Sequence, residues 1–126
     1  MKIDKIKVKS LNSTYTIIIG QNILKNVSKY IKDVCPQAKK ISLVVDKNIP
    51  KKFIHNLKIN LNKYEVHIFK YSVNEKFKSF SNVNKLVEKC LKKNFNRNDI
   101  LISFGGGILG DLGAFAASII KRGINF

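Results

Sequence analysis

Ile100-Leu101-Ile102-Ser103-Phe104-Gly105-Gly106-Gly107-Ile108-Leu109-Gly110-Asp111 runs from an almost wholly apolar segment directly into a glycine cluster. The apolar run reads as a buried strand, and Leu109 to Ile120 reads as a helix nearly free of charge. Strand, glycines and helix make one βα unit. Upstream the pattern repeats. Ile41 to Val45 is a short apolar strand ending at Asp46, and Phe53, Ile54, Leu57 and Leu61 trace a helix opened by Pro50. Tyr64 to Tyr71 reads as a strand, Ser72 to Ser79 as a polar loop, and Val83, Leu86, Val87, Cys90 and Leu91 as a third helix. Strands alternating with helices of this length predict an α/β fold, a Rossmann-like parallel sheet flanked by helices.

Towards the amino terminus, Ile3 to Val8 and Tyr15 to Ile19 are β-branched runs separated by a polar turn, which predicts a hairpin on one side of that sheet. Gln21 to Asp33 carries Ile23, Leu24, Val27, Tyr30 and Ile31 at helical spacing, and Pro36 stops the pattern. Residues 1–126 read as one domain. Ile124-Asn125-Phe126 reads as the start of a further strand, so the expectation is a domain incomplete at its carboxyl end.

The charge is strongly positive, 24 Lys and Arg against 8 Asp and Glu, a net +16. Such a balance ordinarily points to polyanions. Here 22 of the 24 are Lys and only two, Arg97 and Arg122, are Arg. The chain also holds 14 Asn and 18 Ile, so the bias follows A/T-rich codons rather than a binding patch. Base readout favours Arg, and the lysines are spread along the whole chain; no nucleic-acid partner is expected. The uncharged stretch around the fourth helix contains Asp111 and falls short of the ~20 residues a bilayer needs, so no membrane partner is expected either. No apolar leader follows Met1, and Cys35 and Cys90 are too few and too far apart for a disulfide framework. A cytoplasmic location with reduced thiols is the corresponding expectation. His55 and His67 have no partners at metal spacing.

Gly105, Gly107 and Gly110 satisfy G-x-G-x-x-G between a strand and a helix. A diphosphate needs close approach to backbone N–H groups at a helix start, where a Cβ would obstruct it. The motif lies on the last βα unit rather than the first, and no acidic residue stands ~20 positions beyond it, unlike the usual dinucleotide fingerprint. Tight helix packing is the alternative reading of the same glycines. Asp111, read in the first turn of the helix, is either a dipole partner or a ligand-facing carboxylate, and its apolar neighbours Leu109, Leu112 and Phe115 favour the second. Asp46 falls at the carboxyl edge of its strand, where open α/β sheets bind ligands, or serves as a helix cap before Pro50.

Gly105-Gly106-Gly107-Ile108-Leu109-Gly110-Asp111-Leu112, followed by Phe115-Ala116-Ala117 and Arg122-Gly123, resembles the core signature of the 3-dehydroquinate synthase family. Glu75-Lys76-Phe77-Lys78-Ser79 is similar to that family's Glu-x-x-Lys-Ser loop, and Asn96-Arg97-Asn98-Asp99 fits the turn before the glycine strand. The resemblance implies a Rossmann-like amino-terminal domain that binds NAD, with a divalent metal, zinc or cobalt, held by a helical carboxy-terminal domain beyond Phe126. It implies conversion of 3-deoxy-D-arabino-heptulosonate 7-phosphate, a phosphorylated sugar acid, to 3-dehydroquinate with loss of phosphate in the shikimate pathway. NAD there oxidises the substrate transiently, which acidifies a neighbouring C–H, and is regenerated.

Carried over by position, the resemblance places Asp46 and Asn48 at the adenosine ribose. Glu75, Lys76, Phe77 and Lys78 would line the nucleotide, with Glu75 and Lys78 making polar contacts. Gly106, Gly107 and Ile108 would meet the diphosphate beside Gly110, and Asp111 would lie on the nicotinamide side. Arg122 would contact the anionic substrate; a dipole partner at a helix end is its alternative. No catalytic residue and no metal ligand is assigned within 1–126, the chain alone is expected to be inactive, and a homodimer is the expected assembly. Asn74 stands where the family has Gly, a substitution that a left-handed turn would tolerate, and Val73 replaces a commonly acidic position. The other enzyme reading is the glycerol dehydrogenase and iron-dependent alcohol dehydrogenase group, which shares the glycine triplet. A basic nucleic-acid-binding module is the non-enzyme reading.

Overall fold

A computed structural model describes residues 2–126; Met1 lies outside the described residues. Two strands, β1 (Asp4–Lys9) and β2 (Thr14–Ile19), pair antiparallel with Ile6 opposite Ile17 and Val8 opposite Tyr15. Opposite residues share a face, so one side of this ribbon is apolar and the other carries Lys5, Lys7 and Lys9. The hairpin is its own two-stranded sheet and does not extend the parallel one.

The parallel sheet has three strands, β3 (Lys40–Asp46), β4 (Glu65–Tyr71) and β5 (Ile100–Phe104), in the order β4-β3-β5. The helices are α1 (Val27–Val34), α2 (Lys51–Asn60), α3 (Phe80–Lys92) and α4 (Gly107–Ile119). The expected α/β architecture is present, and so is the beginning of the further strand: Ile100 bridges Asn125 in parallel.

β3 is the middle strand, and Ile41 to Val45 are wholly buried, as a strand covered on both faces must be. Its side chains alternate. Ile41, Leu43 and Val45 enter a cluster with Ile31, Ile54, Leu57 and Leu61 from the α1 and α2 side. Val44 points the other way, among Leu86, Cys90, Leu109, Leu112 and Ala116 of α3 and α4. Ser42 shares that second face, and its hydroxyl accepts from the Cys90 thiol at 3.4 Å. Burial of each such aliphatic side chain contributes roughly 1.5–3 kcal/mol, so this strand anchors both layers.

The helix expected from Gln21 begins later. Asn22 takes a left-handed conformation (φ 58°), Ile23–Asn26 form a 3-10 turn, and regular α-helix starts only at Val27. β-branched and Asn residues there are weak helix formers, and no side chain caps the start. The fourth helix differs in the opposite sense, starting at Gly107 instead of Leu109. Asp111 is therefore in its second turn, past the helix start at which the dipole-partner alternative placed it. Among the described residues, no helix is long and apolar enough to cross a membrane.

Candidate functional site

Parallel strands in register bring their carboxyl ends to one edge. Asp46 lies beside Tyr71, and Val45 beside Phe104, the residue before the glycine triplet. The loops after β3, β4 and β5 therefore emerge together, and these hold Asp46 and Asn48, then Glu75 to Lys78, then Gly105 to Gly107. The Lys47 N–H donates to the Tyr71 carbonyl at 2.9 Å, closing the first loop over the second.

The glycines divide by role. None of the triplet has positive φ, so backbone conformation does not demand them. Gly105 is needed for space: a Cβ there would stand 2.8 Å from Leu109 Cδ2 and 3.3 Å from Asp46 Cβ. Gly106 and Gly107 would meet nothing within 4 Å, and both are exposed. They are the cap and first residue of α4, whose opening turn has no capping side chain and no acidic residue. Free N–H donors and the positive end of the helix dipole thus face open space, an arrangement suited to an anion. Gly110 also has room around it. The close helix–strand approach expected of a third glycine is made by Gly113 instead, where a Cβ would collide with Ser103 Oγ and come within 3.1 Å of Leu101. Sequence reading missed Gly113, since the motif's spacing drew attention to Gly110.

Asp46 does not cap the helix after Pro50. Its Oδ1 accepts from the Asn48 N–H at 2.9 Å, forming a turn, and Pro50 occupies the cap of α2. Among the described residues no hydrogen bond engages the second carboxylate oxygen of Asp46, and its Cβ lies beside Gly105. Asn48 serves that turn through its backbone and leaves its side chain exposed.

Glu75 to Phe77 form a 3-10 turn. Asn74 is extended (φ −151°), and its Oδ1 accepts from the Phe77 N–H at 3.0 Å. The left-handed turn expected here is absent; a side-chain cap does the work, so glycine is not required. Phe77 is buried and packs against Tyr71 with ring centroids 5.0 Å apart. Its ring is a core side chain, leaving only its backbone on the loop's outer surface. Glu75 and Lys76 are exposed.

Lys78 Nζ donates to Asp111 Oδ2 at 2.7 Å across the gap between this loop and α4. The hydrogen bond and charge of Asp111 raise the Lys78 ammonium above its ordinary value. Asp111 is exposed despite its apolar neighbours, because Leu109 and Leu112 turn inward while Asp111 and Phe115 turn outward. The ion pair forms the polar rim of a depression of about 330 Å³ walled by Phe80, Val83, Leu112 and Phe115. Phe80 is 81% exposed and meets Phe115 edge-on at 6.0 Å, an apolar wall open to a ligand.

Arg122 is elsewhere. It follows α4 beside the residues that bridge Ile100, at the amino edge of the strands. Thirteen residues of α4, about 20 Å at 1.5 Å each, separate it from Gly107. No carboxylate lies within ion-pair distance of Arg122 among the described residues. His67 pairs with Glu65 at 2.7 Å, and the described residues contain no cluster of three or more His, Cys, Asp or Glu able to hold a metal. A buried acid escaped sequence reading: Asp99 accepts N–H bonds from Lys39, Lys40 and Asn96, tying the start of β3 to the start of β5.

Residues 68–126 match a family model described as 3-dehydroquinate synthase N-terminal. The chain is 46% identical over 126 residues to the 3-dehydroquinate synthase of Pelagibacter ubique (strain HTCC1062), covering 100% of this chain and 34% of that protein. It is 36% identical over 132 aligned positions to the 3-dehydroquinate synthase of Bartonella bacilliformis, covering 100% of this chain and 35% of the relative. The chain spans about a third of the length of the curated relatives it matches. Its fold superposes on a crystal structure of 2-deoxy-scyllo-inosose synthase complexed with carbaglucose-6-phosphate, NAD+ and Co2+, with a TM-score of 0.85 at 24% identity over 96% of this chain and 33% of that one. That last likeness is one of fold. The sequence matches fall on the synthase side of the two enzyme readings.

Proposed function

We propose, on the premise that the chain resembles the amino-terminal part of 3-dehydroquinate synthases, that it is the NAD-binding part of such an enzyme. The proposed reaction is loss of phosphate from 3-deoxy-D-arabino-heptulosonate 7-phosphate to give 3-dehydroquinate, a carbon–oxygen lyase step of the shikimate pathway in the cytoplasm. One observation carries the reading. The start of α4 is uncapped, Gly106 and Gly107 leave it open, and Asp46 stands beside it at the carboxyl edge.

In this reading the N–H groups of Gly106, Gly107 and Ile108 bind the diphosphate, for which the helix start supplies donors and partial positive charge. The free carboxylate oxygen of Asp46 accepts from ribose hydroxyls, and the turn through Asn48 fixes its orientation. Glu75 and Lys78 make the polar contacts along the nucleotide, and the Lys78–Asp111 pair positions the loop against α4 on the nicotinamide side. Bound there, NAD would supply a reversible hydride acceptor. In this reading a zinc or cobalt ion would be held by the part of the relatives' length that this chain does not span, and none of the chain's described residues is assigned to it.

Arg122 lies a helix length from the cradle. In this reading it contacts the anionic substrate, and a homodimer is the proposed assembly. Isothermal titration of a protein carrying this chain with NAD tests the reading. Saturable binding that is lost in Gly107→Val supports it; equal affinity in the variant would show the glycine loop to be a turn and nothing more. In a phosphate-release assay with NAD and zinc, the 126 residues alone are expected to give no turnover.

A further inference from the structure

Lys78 reaches Asp111 from the centre of a three-residue turn. Its backbone (φ −74°, ψ 80°) lies in the inverse γ region, and the Ser79 N–H donates to the Phe77 carbonyl at 2.9 Å across it. Lys78 is exposed, and a long side chain loses rotamer freedom when it is held to one partner. A second donor reaches the same carbonyl. Asn82, half-buried on the first turn of α3, donates to it through Nδ2 at 2.8 Å. The Asn82 backbone N–H donates to Ser79 Oγ at 3.3 Å, so the residue grips both flanks of Lys78.

The residue type matches the local need. The third residue of a helix commonly carries Glu or Gln, whose side chain accepts from the N-cap N–H. Here Ser79 is the N-cap and its N–H is already engaged by the Phe77 carbonyl. What remains open is the second lone pair of that carbonyl, which calls for a donor. A carboxylate cannot supply one; the Asn82 amide does. Helix stability alone does not ask for Asn at this place, since Asn is a weak helix former and an acidic residue would suit the dipole better. On the other side of Phe77, Asn74 Oδ1 accepts from its N–H at 3.0 Å, and its ring is buried against Tyr71. Phe77 is thus fixed at its N–H, its ring and its carbonyl, and Lys78 is the next residue.

We infer that Asn82 is a positioning residue of the loop after β4: its side-chain amide fixes the Phe77 carbonyl, and with it the turn that aims Lys78 at Asp111 and at a bound dinucleotide. Asn82 acts through Lys78 and forms no hydrogen bond with Asp111. The part that concerns the dinucleotide rests on the NAD reading above; the part that concerns the ion pair does not.

Asn82→Ala, in a protein carrying this chain, removes the donor without adding charge. Its urea midpoint is expected to move little, because Asn82 lies at a helix end and Ala is a good helix former. The Lys78 ammonium midpoint, followed by lysine side-chain NMR without NAD, is expected to fall towards the value it takes in Asp111→Asn. NAD affinity by isothermal titration is expected to fall by about three- to tenfold, the worth of one hydrogen bond. In a Lys78→Ala background the same substitution is expected to cost nothing further, since the two residues act as one unit. An unaltered Lys78 midpoint in Asn82→Ala overturns the positioning role. So does an equal loss of NAD affinity with and without Lys78, which would be damage to the helix start rather than to the aim of the side chain. Absence of NAD binding by the unsubstituted protein would sink the cofactor reading alone, and the Lys78 midpoint would still decide whether Asn82 aims that ammonium.

Discussion

Lys78 and Asp111, 33 residues apart, meet at 2.7 Å and tie the loop after β4 to the second turn of α4. Their ion pair closes the rim of the depression beside the glycine cradle, where neither residue has another charged partner within 4 Å among the described residues. Asp111→Asn is expected to lower the Lys78 titration midpoint towards the ordinary lysine range, as read by lysine side-chain NMR. The folded ammonium is raised above its ordinary 10.5, so the pair's contribution is complete below that value and is lost as pH climbs through the raised one. Both groups are solvent-exposed, so the melting temperature at pH 7 should scarcely move. An unchanged Lys78 midpoint in the variant would show that the pair does not form in solution.

Two glycines of one helix should respond oppositely to a side chain. Gly107→Val meets open space and should keep the protein's urea midpoint while costing at least about tenfold in NAD affinity, by obstructing approach to the helix start. Gly113→Ala pushes a methyl into Ser103 and Leu101 and should destabilise by roughly 1–3 kcal/mol. Equal unfolding midpoints for the wild type and Gly113→Ala would contradict the close helix–strand contact.

Asp99→Asn tests the buried tether. The carboxylate accepts three N–H bonds, and an amide presents one oxygen and an unwanted NH2 in their place. A loss of roughly 1–3 kcal/mol in urea unfolding is expected, since buried donors go unpaired. A neutral effect would mean that water reaches the site.

Burial raises the thiol pKa of both cysteines, with the hydrogen bond to Ser42 and the charge of Lys89 partly opposing it at Cys90. Iodoacetamide at pH 8 should therefore modify Cys35, which is half-buried, more slowly than free cysteine. Cys90, wholly buried, should react only as the fold opens. Comparable rates for the two thiols would refute the assignment of Cys90 to the core between β3 and α3.

Much of the fold is legible because it rests on local pattern. The run from Ile41 to Val45 is apolar on both faces, as only a covered strand tolerates, and the glycines after Phe104 mark where the chain must turn. Elsewhere local pattern is ambiguous. Asp111 sits among apolar residues along the chain, and helical geometry sends it outward to the rim of the depression while Leu109 and Leu112 turn in. Asn74 invites a left-handed turn by its family position, but its side chain satisfies the next turn's N–H and leaves the backbone extended. Asp99 reads as one more polar turn residue after Asn-Arg-Asn; burial and three donors come from residues as many as 60 positions away.

The sequence by itself determined the alternation of strands and helices, the glycine cradle and the family likeness, because periodicity, glycine placement and short motifs are properties of neighbouring residues. Only the tertiary structure decided which side chains share an edge. Parallel pairing in register sends Asp46, Lys78 and Gly107 to the carboxyl ends of the strands, and the length of α4 carries Arg122 back to the opposite ends beside Arg97. Spacing along the chain cannot state that separation, since it is set by how far each helix travels before the backbone returns to the sheet.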